Sequence, residues 1–135
     1  MLNWGRKKPT REPPVLDHGF LKRLTDHLGA KLVRELLADG LIEITDRLER
    51  LAEQAGSDKR RPALQTSHDI AGLAGHIGLS ALSRSAVELN RAARNDPLAP
   101  IAELARPVLE AGPPAVEALR LRIEEDKPAE NPDPA

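Results

Sequence analysis

Apolar side chains recur along this chain at steps of three and four residues, the spacing that places them on one face of an α-helix. The clearest stripe lies between residue 30 and about residue 54, and it consists of Leu37, Leu41, Ile44, Leu48 and Leu51. Charged side chains occupy most of the other positions of that segment. The pattern predicts a long helix that presents one face to a hydrophobic core.

Four further segments show the same periodicity, and they predict helices over residues 15–28, 62–77, 79–95 and 98–124. Asp17 is suited to cap the first of these helices, and Gly29 to end it, because glycine readily adopts the left-handed conformation found after helices. Leu16, Phe20, Leu24 and Leu28 are expected to cover one end of a bundle. Gly78 separates the second of the four helices from the third.

The last predicted helix contains three prolines, Pro107, Pro113 and Pro114. Each proline removes a backbone hydrogen-bond donor and crowds the preceding turn. We therefore expect this helix to be kinked or split close to Gly112.

Alternation typical of strands is absent from the sequence, and the predicted connections are short, so neighbouring helices should be antiparallel. The sequence predicts an all-α fold over residues 15–124, an antiparallel up-and-down four-helix bundle with a short N-terminal cap helix. The proline-rich segments 1–14 and 125–135 lack periodicity and predict a disordered leader and tail. A weak contact of Arg6, Lys7 and Lys8 with an acidic partner or membrane is the alternative for the leader.

Composition narrows the possible functions. One Trp, one Phe and no Tyr leave a core of aliphatic side chains, which suits packed helices. The net charge of -1 argues against a nucleic-acid or membrane-surface partner. The chain has no cysteine, which excludes disulfides and thiolate metal sites and agrees with a cytoplasmic protein. Neither a membrane-spanning apolar run nor a signal-peptide pattern is present.

The most unusual stretch is SHDIAGLAGHIG, residues 67–78, in which one histidine stands among very small residues. Ala71, Gly72 and Gly75 lie three, four and seven positions after His68, and these spacings place them on the same helix face. Each glycine inside a helix costs about 1 kcal/mol relative to alanine. The pattern indicates that the surface around His68 is kept clear.

The sequence gives little support for a metal site or a hydrolytic active site built on the four histidines. A metal site would favour two histidines at positions i and i+4, and His18, His27, His68 and His76 do not show that spacing. The sequence contains neither a serine nucleophile elbow nor a phosphate-binding glycine loop. We interpret His76 as a polar residue near a helix end, and His18 and His27 as surface residues.

The stretch around His68 resembles the histidine-containing phosphotransfer (HPt) domain of two-component phosphorelays in bacteria and fungi. That family has a small residue before its helical histidine, a hydrophobic residue two positions after it, glycine at +4 and a second glycine at +10. The matching residues here are Ser67, His68, Ile70, Gly72, Ala74 and Gly78, followed by Leu79 and Leu82. With the order and lengths of the helices, the resemblance covers roughly residues 15–121.

The resemblance implies that His68 is the phosphoacceptor. The family's lysine at +3, which helps to hold the phosphoryl group, is replaced here by Ala71. The resemblance also points to Asn90, at the family's amide position, for orienting the imidazole ring, and to Arg94 for part of the missing positive charge. The alternative is that Asn90 and Arg94 are ordinary surface residues.

The implied function is that of a monomeric phosphorelay intermediate, which accepts a phosphoryl group on His68 from a receiver-domain aspartate or a kinase and passes it to another receiver. The partners would be response-regulator receiver domains or a hybrid histidine kinase. The chain would bind no cofactor or metal itself, since Mg²⁺ would come with the receiver, and it would have no kinase or ATPase activity. The alternative is an HPt-like binding module that modulates a response regulator or histidine kinase without being phosphorylated.

Overall fold

The computed structural model describes residues 12–128. The secondary structure assigned within this range consists of five helices, so the predicted all-α class is confirmed. They are α1 (His18–Leu28), α2 (Ala30–Gly56), α3 (Arg60–His76), α4 (Ser80–Asn95) and α5 (Ile101–Glu125). Most of the predicted leader and tail, residues 1–11 and 129–135, lies outside the described residues. None of the helices in the described part is long and apolar enough to cross a membrane.

The ends of the first helices follow from local chemistry. The Asp17 carboxylate accepts a hydrogen bond from the backbone N–H of Phe20 (2.9 Å), so Asp17 caps α1 as predicted. Gly29 ends α1 and precedes α2 with a φ of 91°, and Gly78 lies between α3 and α4 with a φ of 83°. Both angles fall in the region that glycine adopts without steric cost, which is why these two residues break the helical pattern.

Helices α2 and α4 each pack against both α3 and α5, and α1 packs against α2. Hydrogen bonds between α3 and α4 join residues 64 and 90, 67 and 86, and 71 and 83. Because the residue numbers rise along α3 while they fall along α4, these two helices run in opposite directions. The pairs Gln54–Thr66 and Arg47–Asp69 give the same result for α2 and α3.

The core consists of aliphatic side chains from all five helices. Leu37, Ile44 and Leu51 of the predicted α2 stripe are fully buried. Complete burial of one such side chain contributes about 1.5–3 kcal/mol, so the stripe alone anchors α2 firmly.

Helix α1 buries a different residue from those that its i, i+4 pattern suggested. Leu21 is fully buried, whereas Leu28 is 43% exposed. Positions four apart rotate by about 40° around a helix at each step, so a run of such steps drifts off the contact face. The backbone before α1 is fixed by two hydrogen bonds, one from Asp17 N to Gly78 O in the turn between α3 and α4 (2.8 Å) and one from Ala81 N in the first turn of α4 to Pro14 O (2.9 Å).

Helix α5 is one uninterrupted helix despite its prolines, so the expected split near Gly112 does not occur. A kink or a split was expected because prolines remove helical hydrogen bonds. Pro107, Pro113 and Pro114 are, however, all exposed. On a solvent-facing side, water can satisfy the carbonyl groups that lose their partners. Gly112 itself faces the opposite way, and a β-carbon there would lie 2.9 Å from Leu48 Cδ1. The glycine therefore allows α5 to approach α2 closely.

Candidate functional site

His68 lies in the middle of α3 with its side chain exposed. Within residues 12–128 its imidazole has no hydrogen-bond or ion-pair partner. Ile70 and Ala74, on the opposite side of the helix, are fully buried. The predicted division of α3 into a core face and a histidine face is therefore observed, and the ring is accessible from solvent.

The two residues before His68 fix the rotation of α3. The Thr66 hydroxyl donates to Oε1 of Gln54 on α2 (2.7 Å), and the buried Ser67 hydroxyl donates to the carbonyl of Ala86 on α4 (3.0 Å). Because the two bonds attach α3 to neighbours on both sides, rotation of the helix would break at least one of them. His68, the next residue, is thereby held facing outward.

The small residues after His68 leave open space beside the ring. A β-carbon added at Gly72 would have no neighbour within 4 Å beyond its own helix backbone, and one at Gly75 would lie 3.4 Å from Ser83 Oγ. Ala71 is half-buried toward α4, where its carbonyl accepts a hydrogen bond from the Ser83 hydroxyl (2.9 Å). The surface formed by His68, Gly72 and Gly75 is here called the His68 strip. It is an exposed surface along α3 without bulky side chains.

Asn90 lies on α4, facing α3 one turn before His68. Its Nδ2 donates to the carbonyl of Leu64 (3.2 Å), and its Oδ1 is buried without a hydrogen-bond partner among the described residues. An unpaired buried acceptor is costly, so it is an uncommon feature of a folded protein. The structure thus gives Asn90 a role in joining two helices and leaves one acceptor of its amide unused.

Arg94 is exposed in the last turn of α4, farther from His68 than Asn90. Since Asn90 pairs with Leu64, the antiparallel arrangement places Arg94 level with Arg60. That level is eight residues before His68, or about 12 Å along α3 at 1.5 Å per residue. The structure therefore places Arg94 away from His68 and not beside its imidazole.

The α2 side of His68 carries an ionic network that the sequence did not reveal. The Asp69 carboxylate accepts a hydrogen bond from Gln65 (3.3 Å) and lies 3.8 Å from Nε of Arg47, whose Nη1 contacts Asp46 (2.9 Å). The i, i+4 spacing of Gln65 and Asp69 was visible in the sequence. The contact with Arg47 was not, because it depends on how α2 and α3 pair.

Val87 is a second residue that sequence reasoning missed. It is 48% exposed and follows Ala86, the partner of Ser67, so it lies on α4 close to the level of His68. The signal was a large apolar residue outside the α4 core positions Leu82, Ala86, Leu89 and Ala93. Val87 adds apolar surface next to the His68 strip.

The other histidines lie away from this strip or at its end. His76 is exposed in the last turn of α3, and His27 Nδ1 lies 2.9 Å from the carbonyl of Arg23. His18 Nδ1 accepts a hydrogen bond from the Arg122 guanidinium (2.7 Å). Among residues 12–128, no group of three or more His, Asp or Glu side chains is placed to hold a metal ion.

Comparison with models of protein families gives a match. The family model described as Hpt domain matches residues 35–126, a range that runs from the first turns of α2 past the end of α5. The match includes His68, Asn90 and Arg94. Neither the curated proteins nor the solved structures gave a match to this chain.

Proposed function

The chain belongs to the Hpt domain family, whose members take part in histidine phosphotransfer in phosphorelays, and we propose that it is a phosphorelay intermediate with His68 as its phosphoacceptor. It receives the phosphoryl group from a receiver-domain aspartate or a kinase and passes it to another receiver. The observation that carries the proposal is the exposed ring of His68 beside two glycines that leave its approach open.

The proposed architecture is the antiparallel up-and-down four-helix bundle formed by α2 to α5, with α1 as its cap. The residue pairs between adjacent helices and the packing of α1 against α2 support this arrangement. In it, α3 lies between α2 and α4, and the His68 strip forms the outer surface of α3. A receiver can then approach without displacing any part of the described chain.

The chemical step follows from the imidazole. A ring nitrogen of His68 attacks the phosphorus of the aspartyl phosphate, and the N–P bond forms as the P–O bond to the receiver's carboxylate breaks. In the second step a carboxylate of another receiver attacks the same phosphorus, and the imidazole leaves with the N–P electron pair. Catalysis of such a transfer rests on positioning and on stabilisation of negative charge. We take the Mg²⁺ ion to be supplied by the receiver.

Two neighbouring residues have proposed supporting roles. We propose that Asn90 orients the imidazole through its unused Oδ1, which is supported by the position of Asn90 one turn from His68. Arg94 is the proposed source of a weak positive charge, which solvent and salt screen because its level on α4 is about 12 Å from that of His68. Neither residue occupies the position of the family's lysine, which is Ala71 here.

The proposed partners are receiver domains or a hybrid histidine kinase, met by a monomer in the cytoplasm. The docking surface is the His68 strip with Val87 at its edge, and its limited apolar area suits a weak and transient complex. The alanine at position 71 keeps one alternative open, in which the chain docks a receiver or kinase and modulates it without being phosphorylated.

The test is transfer of a labelled phosphoryl group from phosphorylated receivers to this chain in the presence of Mg²⁺. We expect acid-labile, base-stable label on the wild-type chain and none on His68→Gln. His76→Gln is the matched control, because His76 is also exposed on α3, and it should be labelled normally. If receivers bind but never label the wild-type chain, the shuttle proposal is wrong and the binding module takes its place.

A further inference from the structure

A groove of about 520 Å³ lies between α4 and α5, away from the His68 strip. Leu89, Leu104 and Pro107 form part of its apolar lining. Glu12 and Pro13 line it as well, so the first described residues of the chain lead directly into the groove. The hydrogen bond from Ala81 N to Pro14 O (2.9 Å) fixes this segment beside the start of α4.

The groove carries more negative than positive charge. Its lining includes the carboxylates of Glu12, Glu88 and Glu103 and one guanidinium, that of Arg84. Arg84 lies 3.9 Å from Glu88, which also lies 4.0 Å from Arg91 outside the groove. Glu12 and Glu103 have no ion-pair partner within the described residues. An occupant with several positive charges would therefore match this groove.

Residues 1–11 directly precede the groove-lining residues Glu12 and Pro13 in the sequence, and they carry several positive charges. They contain Arg6, Lys7, Lys8 and Arg11 and no acidic residue. They also contain Trp4, the only tryptophan of the chain. An indole ring buries about 150–250 Å² when it packs against apolar surface, so Trp4 is a suitable anchor for a groove with an apolar floor.

The segment is also long enough. Along α4 the groove extends from Ala81 to Ala92, which corresponds to about 16 Å at 1.5 Å per residue. The eight residues from Glu12 back to Trp4 reach at most about 29 Å when fully extended. Trp4 can therefore reach any part of the groove, with length to spare for a bent path.

We propose that residues 1–11 dock in the α4–α5 groove of their own chain, with Trp4 against Leu104 and Pro107 and the basic side chains beside Glu88 and Glu103. The direct connection through Pro13 makes weak contacts sufficient, because a short tether gives an effective concentration in the millimolar range. The exposed charge pairs contribute through attraction that salt screens, and the indole contributes burial that salt does not reduce. This docking is independent of the phosphotransfer role of His68.

Trp4 reports its own environment by fluorescence, since the chain has no other tryptophan and no tyrosine. In the full chain we expect its emission at shorter wavelength than in the free peptide 1–11, and an acrylamide quenching constant at least about twofold lower, as follows if half or more of the chains are docked. Glu88→Lys with Glu103→Lys should return both quantities toward the peptide values. Glu35→Lys with Glu43→Lys, which makes the same charge change on exposed positions of α2, should not.

Ser85→Phe is a second variant, which fills the groove without changing its charge and should also expose Trp4. Circular dichroism establishes that each variant remains folded. Peptide-like emission and quenching in the wild-type chain would overturn the proposal. So would a Trp4 signal that is protected but unaffected by the groove variants, that depends on protein concentration, or that shifts only when anionic vesicles are added.

Discussion

Two pairs of helical glycines in this protein do opposite things with the space that a side chain would fill. At Gly40 and Gly112 an added β-carbon would lie 2.8 Å from Ile77 Cδ1 and 2.9 Å from Leu48 Cδ1, so the protein's own core occupies that space. At Gly72 no atom lies within 4 Å of the added β-carbon, and at Gly75 the nearest is at 3.4 Å. The first pair serves internal packing, whereas the space at Gly72 is empty among the described residues and the space at Gly75 is bordered by the Ser83 hydroxyl.

The cost of the glycines is similar in both regions, about 1 kcal/mol each relative to alanine. In the core that cost is offset by close approach of helices. Along the His68 strip no such packing is present among the described residues, and under the proposed function the glycines serve the approach of a receiver. The two regions thus differ in whether the protein's own side chains fill the space beside a glycine, and the variants below test whether a partner uses the space at Gly72.

The largest expected effect comes from filling the open space. Gly72→Leu should leave the fold at least as stable, because leucine is a better helix former and meets no neighbour there. It should slow phosphotransfer from a receiver by about 100-fold, equivalent to about 2.7 kcal/mol in the barrier. Transfer kinetics and urea unfolding on the same preparation measure the two quantities.

A matched control for this change is Gly56→Leu, at an exposed glycine at the end of α2 where an added β-carbon also meets nothing. It should leave transfer unchanged. Normal phosphotransfer in Gly72→Leu would mean that a partner does not need the open space beside His68.

Filling the occupied space should have the reverse outcome. Gly40→Leu places a large side chain where Ile77 already packs, and overpacking of this kind costs about 1–3 kcal/mol. Transfer by the fraction that remains folded should be normal. Urea denaturation measures the loss, and unchanged stability would show that α2 and α3 are less tightly packed at this level than the distances indicate.

A smaller effect is expected at Ala71, where the family has lysine. Ala71→Lys should speed transfer or lengthen the lifetime of the phosphorylated form by about 1.5- to 5-fold, the range that exposed charge pairs of 0.2–1 kcal/mol provide. Ala71→Gln, of similar length and neutral, is the control. Equal behaviour of the two variants would indicate that another group, such as Arg94, already supplies the charge.

Much of this fold is readable from the sequence because its signals are local. Asp17 and Gly29 act on the chain next to them, and the buried positions of α2 repeat within one helix. The sequence left open whether the prolines kink or split α5, because the effect of a proline depends on whether its side of the helix faces water, which only packing decides.

The features of the candidate site likewise divide into local ones, which the sequence predicts, and ones that depend on how helices pair. His68, Gly72 and Gly75 lie within one helix, so spacing alone placed them on one exposed surface, whereas Ala71 is half-buried toward α4. The contact between Asp69 and Arg47 and the distance of Arg94 depend on the register between helices. Register is set by many contacts between residues distant in sequence, and no short motif encodes it.

The most direct test of the account is to locate the phosphoryl group on the intact chain. After incubation with a phosphorylated receiver and Mg²⁺, NMR of the imidazole nitrogens should show phosphorylation of one ring, and that signal should be lost in His68→Gln and kept in His76→Gln. Phosphorylation on another residue, or none on a chain that still binds the receiver, would contradict the assignment of His68 as the phosphoacceptor.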